Sequence, residues 1–332
     1  MKILIATGGT GGHLLPAQQL ASFFLKEEIC FAGHGLNHSP FFKRESVEFY
    51  EIPSASLKNP LRFLVTIAKS LLKSIRLLQT IHPDCVVGFG SFHSVPLLCA
   101  AVLLRKPIVL FEANCQLGKV NRLFAPFAKR IAMQFAPSSV RSNFSLVPLL
   151  PWTKRPAAKV PSEQFTILIF GGSQGAAFLN REIPSLLPLN VHVIHLTGKE
   201  ELVPEVQKAY AGRNVIVKSF EPNMHDLYAS ADVAICRSGA GTIAELIRYE
   251  LPALLIPFPQ ATNDHQRANA EFLAKKVEGA TMIDQKEATP QRVREMIADL
   301  ITRREQLRRN LYRFREESEG RTPLWQVIIS SV

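Results

Sequence analysis

The chain opens on KILIAT, an apolar strand-like run that passes directly into the glycine loop Gly8-Gly9-Thr10-Gly11-Gly12-His13. The same succession returns past the midpoint as FTILIFGGSQGAAFLN. Few folds accommodate it. A short apolar run without polar alternation is covered on both faces, and such strands belong to parallel sheets whose connections are helices. CVVGFG, PIVLFEA, HVIHLTG, DVAICRSG and PALLIPF repeat the pattern, each leading into a glycine or polar loop and then an amphipathic stretch. The segment Pro148–Pro161 interrupts it with four prolines, which suit neither a strand ladder nor a helix interior. The expected fold class is therefore α/β, with two Rossmann-like domains at residues 1–150 and 163–332 and a linker at about 148–162. At 332 residues the chain matches two domains of about 150 residues each. Thr302 to Arg321 reads as a highly charged helix, and Leu324 to Ile329 as an apolar stretch able to pack back on a domain.

Composition narrows the setting. The first residues lack the long apolar core and small-residue cleavage site of a signal peptide, which predicts an unsecreted protein. No apolar run reaches the ~18 residues that span a bilayer. Five cysteines (Cys30, Cys85, Cys99, Cys115, Cys236) are scattered without a CxxC or His/Cys cluster, which reads as reduced thiols rather than a zinc site. Residues 1–150 carry 16 Lys and Arg against 7 acids, a net of +9, and the remainder carries 23 against 21, a net of +2. The positive charge belongs to the first half and suits an anionic membrane surface or a phosphorylated substrate. No nucleic-acid motif or basic run with interleaved aromatics accompanies it, so no nucleic-acid partner is expected.

Three constellations carry chemistry. In the first loop, a strand entering glycines at a helix start brings bare N–H groups and the positive helix end to a phosphate. His13 follows directly; its plain reading is a structural hydrogen bond, its functional one a neutral general base. A dinucleotide site would also want an acid ending the second strand, but Glu27 and Glu28 precede the strand-like ICFAG. The second loop, Gly171-Gly172-Ser173-Gln174-Gly175-Ala176, offers Ser173 as a phosphate donor or a helix N-cap. The third runs Arg237-Ser238-Gly239-Ala240-Gly241-Thr242-Ile243-Ala244-Glu245, followed by Pro257-Phe258-Pro259 and by His265 to Ala270. Small residues there open a helix at a strand's carboxyl end, and Glu245, one turn inside, can accept two ribose hydroxyls.

GGTGGHxxPA, GGSQGA, RSGAxTIAEL, PALLIPFP and HQxxNA stand in the order and at about the spacing found in the MurG family, which the chain resembles from about Lys2 to Thr281. The resemblance implies a GT-B fold, two Rossmann-like domains facing a central cleft, with the first domain toward acceptor and membrane and the second binding the UDP-sugar. It implies inverting transfer of N-acetylglucosamine from a UDP-GlcNAc donor to the C4 hydroxyl of an undecaprenyl-diphosphate-linked muramoyl-pentapeptide, in peptidoglycan synthesis at the cytoplasmic face of the membrane. By the same resemblance Thr10, Gly11, Gly12, Asn114 and Ser173 lie at the donor. Ala240, Gly241, Thr242, Ile243, Ala244 and Glu245 wrap uridine and ribose, Gln266 holds sugar hydroxyls, and Glu221 meets uracil through its backbone. The chain departs from the family at three places. Leu150-Pro151-Trp152-Thr153 replaces Asn-Pro-x-Arg, so Lys154 or Arg155 would supply the charge; Phe111-Glu112-Ala113-Asn114 replaces His-Glu-Gln-Asn; and Gly90-Ser91-Phe92 replaces Gly-Gly-Tyr.

The reaction needs a base for the attacking hydroxyl and positive potential for the departing diphosphate. His13 is the candidate base, with Glu112 second. Helix N-termini supply the potential, and with no Asp-x-Asp pair neither metal nor cofactor is expected. Asn59–Gln79 places Leu61, Leu64, Val65, Leu71, Leu72 and Ile75 among Arg62, Lys69, Lys73 and Arg76 at helical spacing, a stripe fit for the sheet or for an anionic inner-membrane surface. The same loops would also serve a lipid glucosyltransferase, a UDP-GlcNAc 2-epimerase or a non-catalytic nucleotide-sugar binder.

Overall fold

The computed structural model describes residues 1–8, 11–54, 60–137, 141–150, 164–172 and 175–332. Ser173, Thr10 and the linker cations Lys154 and Arg155, all singled out by sequence, lie outside them. Of the α2 side chains, those of residues 60–64 also lie outside. The chain divides into two compact units, Met1–Trp152 with Gly320–Val332, and Thr153–Glu319.

The first unit is a wholly parallel sheet of β1 (Ile3–Gly8), β2 (Ile29–His34), β3 (Glu48–Glu51), β4 (Cys85–Gly88), β5 (Ile108–Glu112), β6 (Arg130–Met133) and β7 (Phe144–Leu146), in the order β3-β2-β1-β4-β5-β6-β7. The connections carry α1 (Gly11–Ala21), α2 (Pro60–Ile81), α3 (Val95–Leu103) and α4 (Lys119–Phe124). Successive residues of each strand point to opposite faces. Ile3, Ile5, Phe31 and Val87 accordingly pack with Leu14 and Leu20 of α1, while Leu4, Ala6, Val86 and Leu110 pack with Leu78 of α2 and Leu97 of α3. That two-sided burial is what the unbroken apolar runs required.

The second unit repeats the design with β8 (Thr166–Phe170), β9 (His192–Leu196), β10 (Val215–Lys218), β11 (Val233–Cys236), β12 (Ala253–Leu255) and β13 (Ala280–Met282), all parallel, in the order β10-β9-β8-β11-β12-β13. Its helices are α5 (Ala177–Glu182), α6 (Val203–Ala209), α7 (Met224–Ser230), α8 (Ala240–Arg248), α9 (His265–Glu271) and the 30-residue α10 (Pro290–Glu319). The charged α10 is held by a narrow stripe, Val293, Ile297, Leu300 and Leu307, buried against Ile167, Val233 and Leu254.

A final helix, α11 (Leu324–Ile329), corrects the expected end of the second domain at 332. Its Leu324, Val327 and Ile328 are buried in the first unit's core with Ile3, Val109 and Phe111, and Arg321 donates to the Gln134 carbonyl at 3.0 Å. Apolar side chains at this helix's spacing are covered by the first sheet, and the chain returns there to bury them.

The α2 stripe also divides. Leu71 and Ile75 pack on the first core, Leu78 is buried, and Val65 and Leu72 are more than half exposed. The outward face therefore joins Val65 and Leu72 to exposed Lys69 and Arg76. Among the described residues no helix is long and apolar enough to cross a membrane.

Candidate functional site

In both sheets the strand order turns at one point, between β1 and β4 and between β8 and β11. Ligands of open α/β sheets bind outside the carboxyl ends of the strands at such a point. The described glycines of the two loops, Gly8, Gly11 and Gly12 and Gly171, Gly172 and Gly175, and the RSGAGTIAE stretch end or follow the strands at those points.

At the first edge Gly8 ends β1 with φ 144°. A Cβ on it would fall 2.8 Å from the His34 carbonyl oxygen and 3.1 Å from the His93 Cβ, so glycine alone fits between β2 and the turn after β4. The helix α1 starts with Gly11, against the Phe41 ring, and exposed Gly12. His13 is half-buried in its first turn, and Nδ1 lies 2.7 Å from the Phe89 carbonyl oxygen. A carbonyl only accepts, so Nδ1 carries the hydrogen and the neutral ring has its lone pair on Nε2. Around it stand His34, whose Nδ1 is 3.3 Å from Glu51, and His93, whose Nδ1 is 2.7 Å from Ser54 Oγ. Burial, then the neighbouring His34 and His13, hold the His93 imidazole below its ordinary pKa. The strand β2 ends in His34, not in the acid that would bind a dinucleotide's ribose.

Glu112 ends β5 and is buried. Its carboxylate accepts from the Asn114 amide at 3.1 Å, the Gly118 amide at 2.8 Å, and the side-chain amides of Asn114 and Asn121 at 2.9 Å each. Four donors engage both oxygens, an arrangement that suits a positioning role. It fixes Asn114 and the turn that leads into α4. Cys115 is buried beside it, and burial raises its thiol far above the reactive range.

At the second edge the glycine loop is packed as tightly. Gly175 has φ +70°, and a Cβ on it would meet the Thr197 carbonyl at 2.2 Å. Asn180 in α5 donates to that same carbonyl at 3.1 Å. Its Oδ1 must then accept from His195 Nε2 at 3.0 Å, which leaves His195 Nδ1 to accept from the Tyr210 hydroxyl at 2.9 Å. This buried relay ties the helix after the loop to β9, and burial pushes the His195 pKa down to about 4.

Helix α8 follows β11 through Arg237, Ser238 and Gly239. Ile243 and Ala244 face the core, so what α8 presents outward is Ala240, Gly241 and Thr242. Glu245 is only 6% exposed, and its charge adds to the burial that holds the Tyr228 phenol far above its usual pKa. Tyr228 and Tyr249 lie with ring centroids 5.1 Å apart. Arg237 is buried and donates to the carbonyls of Ile256 and Pro257 at 2.8 and 3.0 Å and to Gln285 at 2.7 Å; burial pushes its pKa down to about 10. The chain enters α9 through Asn263 and Asp264, both left-handed, which short polar side chains tolerate. Gln266 then accepts from the Phe258 amide at 3.0 Å, and its carbonyl accepts from Ser238 at 2.7 Å. Glu221 sits at the end of β10's loop, its carboxyl held below the ordinary range by the Lys218 ammonium at 2.9 Å and the Asn223 amide.

Sequence reasoning thus located Gly11, Gly12, His13, Asn114, Glu221, Ala240 to Glu245 and Gln266 at carboxyl edges or the loops beside them. It missed the Phe89 carbonyl, which residue type cannot disclose, and the pairing of His34 with His93, which are distant in sequence. Among the described residues no group of three His, Cys, Asp or Glu side chains is placed to hold a metal ion.

Two doubly wound units in series, each with a glycine loop at its switch point, are the make-up of a GT-B glycosyltransferase. Residues 3–133 match the glycosyltransferase family 28 N-terminal domain and residues 166–319 the family's C-terminal domain. A relative from Protochlamydia amoebophila, named UDP-N-acetylglucosamine–N-acetylmuramyl-(pentapeptide) pyrophosphoryl-undecaprenol N-acetylglucosamine transferase, is 37% identical over 90% of this chain and 87% of its own length. One of the same name from Chlamydia pneumoniae is 33% identical over 97% and 96%. The crystal structure of Acinetobacter baumannii MurG superimposes with a TM-score of 0.79 and 27% identity over 99% of this chain and 98% of that one. A kitacinnamycin glycosyltransferase, at 16% identity and TM-score 0.70 over 99% and 97%, shares the fold alone. The chain belongs to the MurG branch of glycosyltransferase family 28.

Proposed function

We propose that this chain transfers N-acetylglucosamine from UDP-GlcNAc to the C4 hydroxyl of an undecaprenyl-diphosphate-linked muramoyl-pentapeptide. The observation that carries the reading is identity of 33–37% to transferases of that name along nearly the whole chain, both units included. The geometry of His13 supports it. With Nδ1–H given to Phe89, the ring offers the Nε2 lone pair to the attacking hydroxyl's proton as oxygen bonds to the anomeric carbon. The bond to UDP breaks on the opposite face, and its electron pair leaves on the diphosphate. Gly171, Gly172, Gly175 and the outside residue Ser173 are the proposed cradle for that charge. Glu245 takes the ribose, Gln266 and Asn114 the sugar, and the backbone at Glu221 the uracil. Glu112 acts through Asn114.

Positive potential from backbone N–H groups can serve the leaving group without a divalent ion. Release of UDP from UDP-GlcNAc and a lipid-linked acceptor should therefore proceed equally with and without EDTA. Release in EDTA below about a tenth of the untreated rate would sink the metal-free reading, and release without acceptor glycosylation would sink the transferase reading.

The first unit is the proposed membrane side, at the inner face of the plasma membrane. Val65 and Leu72 flanked by Lys69 and Arg76 on the outward face of α2, together with the net +9 of residues 1–150, support it. Anionic vesicles should hold the protein at low salt and lose it at about 0.5 M, where screening shortens the Debye length to a few Å. Equal binding to neutral vesicles would count against the electrostatic part.

A further inference from the structure

Helix α8 carries Glu245, the proposed ribose acceptor, and the chain leaves it through Tyr249 and Glu250. Glu250 has φ 51°, in the left-handed region that favours glycine. The turn closes the helix in the usual way, with the Tyr249 amide on the Glu245 carbonyl and the Leu251 amide on the Leu246 carbonyl, each at 2.9 Å. His82, Arg105 and Glu278 are left-handed as well, and their side chains are exposed. Glu250 differs in where its side chain goes. It is drawn against α10, where one carboxylate oxygen pairs with Arg315 Nη1 and the other lies 3.7 Å from Arg308 Nε. The Arg315 and Glu250 side chains are only 11% and 18% exposed, whereas Arg303 and Asp299, paired along α10, are each about half exposed. A sheltered pair adds little to stability once its desolvation is counted, and what it secures is which arrangement two packed elements adopt.

The arginine is a fixed point. The Tyr312 ring lies 5.1 Å from its guanidinium carbon, and Glu316 and Glu319 of the same helix hold it further. The middle of α10 is anchored without Glu250. Asn310 donates to the Glu278 carbonyl at 2.9 Å, and Leu311 presses on Gly279 so closely that a Cβ there would fall 2.3 Å from it. At its opening, by contrast, α8 has Gly239 as its cap, which supplies no side chain to hold the first turn.

We propose that Glu250 is a positioning residue for the nucleotide. Its pair with Arg315 and Arg308 sets the rotation and height of α8, and so presents Glu245 and the turn Ala240–Thr242 in binding geometry. The inference rests on the reading of α8 as the nucleotide helix. Apparent affinity scales with the fraction of chains whose helix already stands in the competent position, and the clamp keeps that fraction high.

Glu250→Gly removes the carboxylate and leaves a residue at ease with a positive φ, so the turn itself survives. UDP, titrated calorimetrically into the full chain, should bind about three- to tenfold more weakly, as to a helix competent about a third to a tenth of the time. The KM for UDP-GlcNAc should rise by the same factor, with kcat at saturating donor and the acceptor KM unmoved. R315M should reproduce most of the loss, and E250G/R315M should add little to either, because both variants remove one contact. A merely stabilising pair would lower the melting temperature and leave the UDP affinity of the folded chain untouched; that result overturns the proposal, as does a loss in E250G that R315M does not share. Hydrogen exchange keeps the clamp apart from the reading it rests on. Faster exchange at residues 243–248 in ligand-free E250G supports the clamp whatever α8 binds, and unchanged exchange overturns it. A wild-type chain that binds no UDP overturns the nucleotide role together with that reading of α8.

Discussion

At the carboxyl edge of the second sheet, polar side chains are spent on fixing backbone. Arg237 ties the Ile256 and Pro257 carbonyls, Ser238 and Asn269 lock α9 to the turn between β11 and α8, and Asn180 with His195 pins α5 to β9. At the first edge stand half-buried imidazoles instead, His13 at the Phe89 carbonyl, His34 at Glu51 and His93 at Ser54. The strand order is the same and the chemistry differs. The second edge is arranged to keep a shape, which suits the nucleotide site proposed for it. The first gathers titratable rings, the groups that the proposed base chemistry at His13 would use.

The sharpest way to break this contrast is at His13. His13→Ala should lower kcat by about a hundredfold or more, the usual range of a general base, with the donor's Kd nearly intact. Single-turnover rates at saturating donor, on a variant with unchanged melting temperature, measure it; a kcat within a few-fold of wild type would move the base elsewhere. A smaller effect belongs to the second edge. The folded His195 has its pKa lowered to about 4, below the ~6.5 of an unfolded histidine. The unfolded chain therefore binds the proton first, and stability is full above pH ~6.5 and falls as pH drops toward ~4, by up to about 3 kcal/mol. Hydrogen exchange of the β8 and β9 amides should show that slope, and His195→Gln should flatten it; an unaltered slope would place the acid sensitivity in other groups. The smallest change is at Glu245. Glu245→Ala should weaken UDP binding by about 1–3 kcal/mol without a separate effect on the saturated rate. Calorimetry returning the wild-type affinity would take Glu245 out of the nucleotide site.

The strands that sequence disclosed are those buried on both faces. KILIAT, CVVGFG, PIVLFEA, FTILIFGG, HVIHLTG, DVAICRSG and PALLIPF became β1, β4, β5, β8, β9, β11 and β12. The strands it did not name, such as β3, β7 and β10, are three or four residues long and partly exposed at sheet edges, where neither length nor an apolar run marks them. The site followed the same division. Glycine loops and the α8 opening are local in sequence and were legible. The burial of Glu112 under four donors was not, because Asn121 and Gly118 reach it only through the turn into α4. The stripe on α2 was visible as a stripe, while its division between core and solvent depends on the sheet beneath it.

The return of α11 to the first unit bears on how the protein is made. All seven strands of the first sheet have left the ribosome once Leu146 has emerged, yet the face that α1 covers in part is completed only when Leu324, Val327 and Ile328 follow. The second unit is synthesised in the interval, so the unit begun first is sealed last, against the usual order of folding from the N-terminus. A nascent chain stalled near Glu319 should carry a protease-resistant second unit and a first unit still open to cleavage and to chaperones that bind apolar surface. Release of the last turns then closes the earlier domain in a single step, and full-length protection of both units before α11 emerges would disprove that order.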